Sequence, residues 1–425
     1  MKIKVCLLSC LFVSGLVGCS GTSDEACSAV AELSGQEVAL TSACAGVDLT
    51  FAPQVQLDGV WTSADEAASL GTLNVALEDG KLVTSFTARA DAAVGGLRLV
   101  GTGVINGRTG WLSNGFQSWS HSGMLALNGG SSEAELLKAL TDEGDEEVLR
   151  EGRALSWWHS AIGSATGGAV VTGVTEVARW RSWVKAVTPS SSEADALELW
   201  LVCGGAGESV LLAAGEQVHS EPWVLSAGND VQALQRSYAA QVVSRERPAG
   251  VHAELGWNSW YDLWDKVGAQ DVLDNAALAK TILEDEGQVG GAPLRIVVDD
   301  GWQQKWGVWE TNAKFPDGLD GLATTLKAEG YHMGVWLAPL LVDPTSALAQ
   351  NHPEWLVDGA AFLHPVHGAL QVLDVTHPEA AAHLTRVIQT IVGWGYDLLK
   401  IDFLFAGTFQ GGRYEPMPGM QAYAK

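Results

Sequence analysis

Four short strings in the second half of this 425-residue sequence gather side chains able to do acid–base or nucleophilic work. They are Trp257-Asn258-Ser259-Trp260, Asp299-Asp300-Gly301-Trp302, Trp336-Leu337-Ala338-Pro339 and Lys400-Ile401-Asp402-Phe403. A carboxylate such as Asp402 can attack an electrophilic carbon and hold it as an ester until water, activated by a second carboxyl group, releases it. Lys400 stands two residues earlier, so strand alternation puts both side chains on one face, where a fixed ammonium would keep Asp402 charged. Adjacent carboxylates such as Asp299 and Asp300 repel or share a proton unless donors compensate them. Each string also has a structural alternative. Asp402 could cap a loop, Lys400 could balance an interior charge, and the Asp299-Asp300 doublet could cap a helix.

The elements that must position these residues are legible around them. The strings end the strand-like runs AELGWNSW, LRIVVDDGW, HMGVWLAP and DLLKIDF. Between these runs lie the helix-like VLDNAALAKTILEDEG, GLATTLKAEG and EAAAHLTRVIQTIVGWG, with a long loop after the third run. Strands alternating with helices predict a parallel α/β sheet or barrel, and in a barrel functional residues collect at the strand tails. An eight-stranded barrel would be about half complete here, and the closing MPGMQAYAK reads as a helix just beginning. The chain is therefore expected to be a fragment.

Upstream, from about Gln36 to Leu225, the pattern is different. Short alternating stretches such as GTLNVALEDGKLVTSFTARA and GGAVVTGVTEVARWRSWVKAV are broken by Gly, Ser, Asn and Asp, as in an antiparallel β-sandwich. SSEAELLKALTDEGDEEVL interrupts them as a helix or exposed loop, and NDVQALQRSYAAQVV has helical periodicity before the break RERPAG.

The first residues read as an export signal: a basic start, an apolar run too short to span a bilayer, then Leu16-Val17-Gly18-Cys19. This layout matches a bacterial lipobox, so cleavage before Cys19 and acylation of that cysteine are expected. The protein would then be an exported lipoprotein, periplasmic or on the cell surface, held to the membrane only through its lipid. Cys27 and Cys44 could pair in that oxidising compartment, while Cys203, in the apolar run LWLVC, reads as a buried thiol. With 50 acidic against 25 basic residues the formal charge is -25, which argues against nucleic acid as a partner. Eighteen tryptophans are a mild hint of sugar stacking.

The strings GWNSWYDLW, VDDGWQ, GVWLAP, HPEW, VLDVTHPEA and LLKIDFLFAG, in this order and spacing, resemble glycoside hydrolase family 36, the α-galactosidases and their relatives. NGFQSWS, Asn114 to Ser120, resembles a segment of that family's N-terminal sandwich and separates the chain from sister family 27, whose barrel comes first. The resemblance implies a β-sandwich N-terminal domain followed by a (β/α)8 TIM-barrel catalytic domain. The predicted organisation is a signal peptide at 1–18, a lipidated linker at 19–35, the sandwich at 36–230, a helical linker at 231–252 and the first half of the barrel at 253–425. It further implies a retaining α-galactosidase with Asp402 as nucleophile, acting on terminal α-linked galactose in oligosaccharides such as raffinose and melibiose or in polysaccharides. Asp299 and Asp300 would hold the 4- and 6-hydroxyls of galactose, with Lys400 donating to sugar hydroxyls. Trp260 and Trp336 would pack against the sugar. Trp302 is placed with them as substrate-binding, although it and Trp257 could equally be core. The family's acid/base aspartate lies on a later strand, so none is assigned here, and the chain as given is expected to be inactive.

Val308 departs from the family, which usually has aspartate there, and KIDFL favours hydrolysis over the transfer associated with KVDVQ-like versions. Asp343, Asp374, His352, His364, His367 and His377 form no compact metal-ligand motif, and no cofactor is expected. A glycine-rich phosphate loop after a strand and a GxSxG serine triad are both missing. The alternatives are an α-N-acetylgalactosaminidase, a transglycosylase, or a non-catalytic glycan-binding lipoprotein should the chain naturally end at Lys425. Homo-oligomerisation is left open.

Overall fold

The computed structural model describes residues 27–116, 122–126, 155–187, 195–205, 207–242, 254–285 and 293–425. The signal, Cys19, all of SSEAELLKALTDEGDEEVL and the QSWS of NGFQSWS lie outside the described residues.

Period-two patterning builds the first unit. In Val47–Leu57 the side chains of Val47, Leu49 and Phe51 point inward while Asp48 and Thr50 face water. Repeated along the chain, this alternation gives two antiparallel sheets, each nine-stranded among the described residues. Phe51, Leu99 and Leu201 of one sheet and Phe86, Trp111 and Trp223 of the other share one buried core. The unit is a β-sandwich, and it differs from expectation at both ends. Ser28–Val30 pairs with the strand Trp223–Gly228, and Glu32–Ser34 pairs with Glu37–Ser42, so the sandwich begins inside the predicted linker. Three-residue strands are too short to show a period in the sequence. The helix Val231–Val242 buries Leu234 and Tyr238 beside Val171 and Val224, and the Tyr238 hydroxyl donates to Val174 O at 2.7 Å. That part of the predicted linker is docked on the sandwich.

The second unit has four parallel strands in sequential order: Gly256–Asn258, Arg295–Val298, His332–Leu337 and Leu398–Ile401. The helices Ala269–Asp285, Gly318–Ala328 and Pro378–Gly393 connect them. Ile296, Val298, Met333 and Val335 of the strands bury against Leu319, Leu322, Leu326 and Ile391 of the helices. The third of these helices shows its sequence signals plainly. His377 Nδ1 caps it by accepting from Glu379 N, Pro378 fills the first turn, and Gly395 at φ +100° ends it. Among the described residues no helix is long and apolar enough to cross a membrane.

Additional pieces rise from the strand tails. A hairpin, Gln303–Lys305 with Val308–Thr311, follows the second strand. The predicted long loop after the third strand is itself built, as a three-stranded antiparallel sheet of Leu341–Val342, Gly368–Leu373 and Leu356–His364. The two units touch where the Phe116 ring lies 6.4 Å from Phe405 and Gln410 Nε2 donates to Glu208 Oε1 at 3.0 Å.

A disulfide joins Cys27 to Cys44 and so fastens the first strand of one sheet to the other sheet. Closing a loop of 17 residues constrains the unfolded chain by about 3 kcal/mol. The Cys27→Ser/Cys44→Ser variant is expected to lose about that much stability in urea denaturation. Dithiothreitol should have the same effect on the native protein and none on the variant.

Candidate active site

The strand tails converge on a cleft of about 290 Å³ lined by Asp299, Asp300, Trp336, Lys400 and Asp402. A larger cavity of about 500 Å³, beside Trp355, His383 and Arg386 on the third helix, holds none of these groups. Val308 faces that flank cavity, away from the cleft.

Asp402 follows the fourth strand directly. Its two oxygens are held separately: Oδ2 accepts from Trp336 Nε1 at 3.0 Å, and Oδ1 from Phe403 N at 2.9 Å. The second bond accompanies a left-handed turn, since Phe403 has φ +55°, a conformation that costs a residue with a Cβ some strain. Phe403 is held there by rings on three sides, Trp306 at 5.3 Å, His364 at 5.5 Å and Phe362 at 5.7 Å. Trp336 is 2% exposed. Its polar edge fixes the carboxylate, a role not read from the sequence, where it figured only as a stacking surface.

Lys400 faces the same cleft, as strand alternation requires, but its ammonium donates to Asp299 Oδ2 at 2.6 Å. Asp299 also accepts from Asn258 Nδ2 at 2.8 Å and, through Oδ1, from Asp300 N at 3.0 Å. Its neighbour is less committed. Asp300 Oδ1 accepts from Gln303 Nε2 at 2.5 Å, while Oδ2 lies 3.4 Å from His367 Nε2. The expected repulsion between the two carboxylates is thus met by an ammonium, two amides and an imidazole. Gly301 lets the chain leave the strand at this point: its φ is +113°, and a Cβ would sit 2.5 Å from Asp265 O.

The indoles divide. Trp260 lines the cleft, with Trp264 5.4 Å away at the rim and Tyr261 almost fully exposed. Trp302 is fully buried and donates its indole N–H to Trp336 O at 2.8 Å, so it is a core residue and does not meet substrate. Trp257 likewise packs against the core of the second unit.

Of the residues set aside as loop structure, Asp374 and His377 hold backbone: Asp374 accepts from Thr376 N and Tyr414 N, and His377 caps a helix. His352 stacks on Trp355. His364 and His367 are different, because their hairpin carries His364 to the cleft wall and His367 to within 3.4 Å of Asp300 Oδ2. Burial, reinforced by His367 and opposed by Asp300 and Asp402, pushes His364 down to about 4. The imidazole is therefore neutral near pH 7. Asn258, although inside the first string, and Trp306, just beyond the second, were given no role.

The arrangement predicts unequal roles for the carboxylate pair. Asp299→Asn disturbs three donors at a buried position and is expected to cost about 2 kcal/mol of stability. Asp300→Asn should cost less than half of that, measured by chemical denaturation of both variants.

Known proteins share this arrangement of sequence. The Melibiase family model matches residues 271–403, a span ending one residue past Asp402. The chain is 40% identical over 157 residues to α-galactosidase AgaA of Geobacillus stearothermophilus, covering 35% of this chain and 20% of that protein. It is 28% identical over 107 residues to an α-galactosidase of Escherichia coli, covering 23% of this chain and 15% of that protein. Among solved structures, the α-galactosidase TtGalA of Thermus thermophilus, in complexes with p-nitrophenyl α-D-galactopyranoside and with stachyose, superposes with TM-score 0.55 in both. The first of these complexes is 23% identical and covers 80% of this chain and 65% of that one. The crystal structure of AgaA gives TM-score 0.53 at 16% identity, covering 86% of this chain and 48% of that one. The alignments thus cover about half to two thirds of these solved chains, and a smaller share of the two curated relatives.

Proposed function

We propose, from the premise that this chain is a member of the glycoside hydrolase family 36 α-galactosidases, that its protein is a retaining α-galactosidase with Asp402 as nucleophile. The observation that carries this reading is the isolation of Asp402 at a strand tail, both oxygens aimed by one donor each, opposite the Asp299, Asp300 and Lys400 cluster. An Asp402 oxygen attacks the anomeric carbon as the bond to the leaving oxygen breaks, giving a galactosyl ester. A general acid protonates the departing oxygen, and the same group then takes a proton from the water that cleaves the ester. The resemblance to the family implies that this acid is an aspartate on a later strand of a (β/α)8 barrel, and neither Asp299 nor Asp300 is assigned the role. The chain as given is accordingly proposed to be inactive alone.

The substrate proposed is a terminal α-galactosyl unit of raffinose-type oligosaccharides or of melibiose, in line with the stachyose bound by the Thermus relative. Trp260 and Trp336 form walls against the ring, and Lys400 bridges Asp299 and the sugar hydroxyls. We further propose export as a lipoprotein acylated at Cys19. Labelled palmitate should enter the native protein and not Cys19→Ala.

In the full-length enzyme, Asp402→Ala is expected to cut turnover of p-nitrophenyl α-galactoside at least about a thousandfold without lowering its melting temperature. Added azide should then occupy the vacated face and yield the β-configured galactosyl azide. A variant that keeps a few per cent of wild-type rate without azide would remove Asp402 from the nucleophile role.

A further inference from the structure

The turn between Leu356–His364 and Gly368–Leu373 places His364, Pro365 and Val366 along the cleft wall, with His367 beside Asp300. It is locked from within. His364 Nδ1 accepts the backbone N–H groups of Val366 and His367, both at 3.1 Å, which assigns the ring proton to Nε2. The Trp306 ring supports the turn from below, 5.2 Å from the His364 ring and 4.9 Å from that of His367. The outcome is a partly exposed His367 imidazole, whose Nε2 lies 3.4 Å from Asp300 Oδ2. That contact is long for N–H···O, so it orients the oxygen without saturating it. Asp299, by contrast, has its donors at 2.6 to 3.0 Å.

We propose, building on the galactosidase reading, that His367 is a specificity and positioning residue for the terminal sugar. It aims Asp300 Oδ2 into the cleft, and its Nε2–H, which meets Asp300 only at 3.4 Å, is shared with the hydroxyl from which Asp300 accepts. A hydroxyl can do both at once, since it carries one donor and two lone pairs. An epimer presenting that hydroxyl elsewhere would leave the buried Asp300 oxygen and the His367 N–H unmatched, which is how a site rejects a near-identical sugar. The contribution is made to binding the ring and not to breaking its bond.

The test uses the full-length enzyme as wild type, His367→Phe and His367→Gln. Phenylalanine keeps a ring against Trp306 without a donor, whereas glutamine keeps an N–H donor. Galactose affinity is measured by calorimetry, and kinetics on p-nitrophenyl α-galactoside and its 4-deoxy and 6-deoxy analogues. His367→Phe is expected to weaken galactose binding and raise KM about tenfold, with kcat within about twofold of wild type. His367→Gln should recover most of the loss, and the penalty should vanish on the one analogue lacking the shared hydroxyl. An equal penalty on all three substrates, a loss confined to kcat, or no loss at all overturns the proposal while wild-type binding keeps the galactosidase reading. If wild type neither binds galactose nor turns over the galactoside, that reading fails and the inference fails with it.

Discussion

The contact on which the candidate site depends is the ion pair between Lys400 and Asp299. Lys400 belongs to the fourth parallel strand and Asp299 to the tail of the second, with the third strand between them. Neighbouring strands lie about 4.8 Å apart, so a side chain as long as lysine is needed to cross the intervening strand and reach Asp299 at 2.6 Å. Asn258 extends the bridge to the first strand. One buried carboxylate thereby ties together side chains from three of the four strands. Its other oxygen accepts from Asp300 N, which fixes where the second carboxylate begins.

Much of this was legible in the sequence, and for a physical reason. Alternating β and α segments each carry their own hydrophobic period, and Gly, Pro and Asp punctuation marks where strands stop. The tails of the runs ending at Trp260, Asp300, Pro339 and Asp402 could thus be located without coordinates, and the cleft does join them. Less legible was what each side chain does once there. Alternation assigns a face but not a partner: it brought Lys400 to the side of Asp402 and could not say that its proton goes to Asp299. The same limit explains Trp302 and Trp336. Both are buried near strand tails, but Trp302 donates its N–H to backbone and Trp336 donates to Asp402.

The hairpin after the third strand was the larger omission. Its strands are joined by a turn, HPVH, whose residues suggest only a loop, and its pairing shifts register between Leu356 and Ala361. Contacts between Trp306 and the two histidines span some sixty residues of sequence, beyond the reach of any local pattern. Short edge strands such as Ser28–Val30 escaped notice for the opposite reason, being too brief to carry a period at all.

The contact between the two units has an evolutionary corollary. The 3-10 turn that follows Asp402 sends Phe405 toward Phe116, and further along the same loop Gln410 reaches Glu208, so the backbone leaving Asp402 rests partly on the sandwich. A sandwich is therefore not an interchangeable accessory here. Recombination that grafted a foreign sandwich onto this α/β unit would have to bring, or re-evolve, a matching surface at positions 404–413. Shuffling among relatives should consequently preserve the pair as a block.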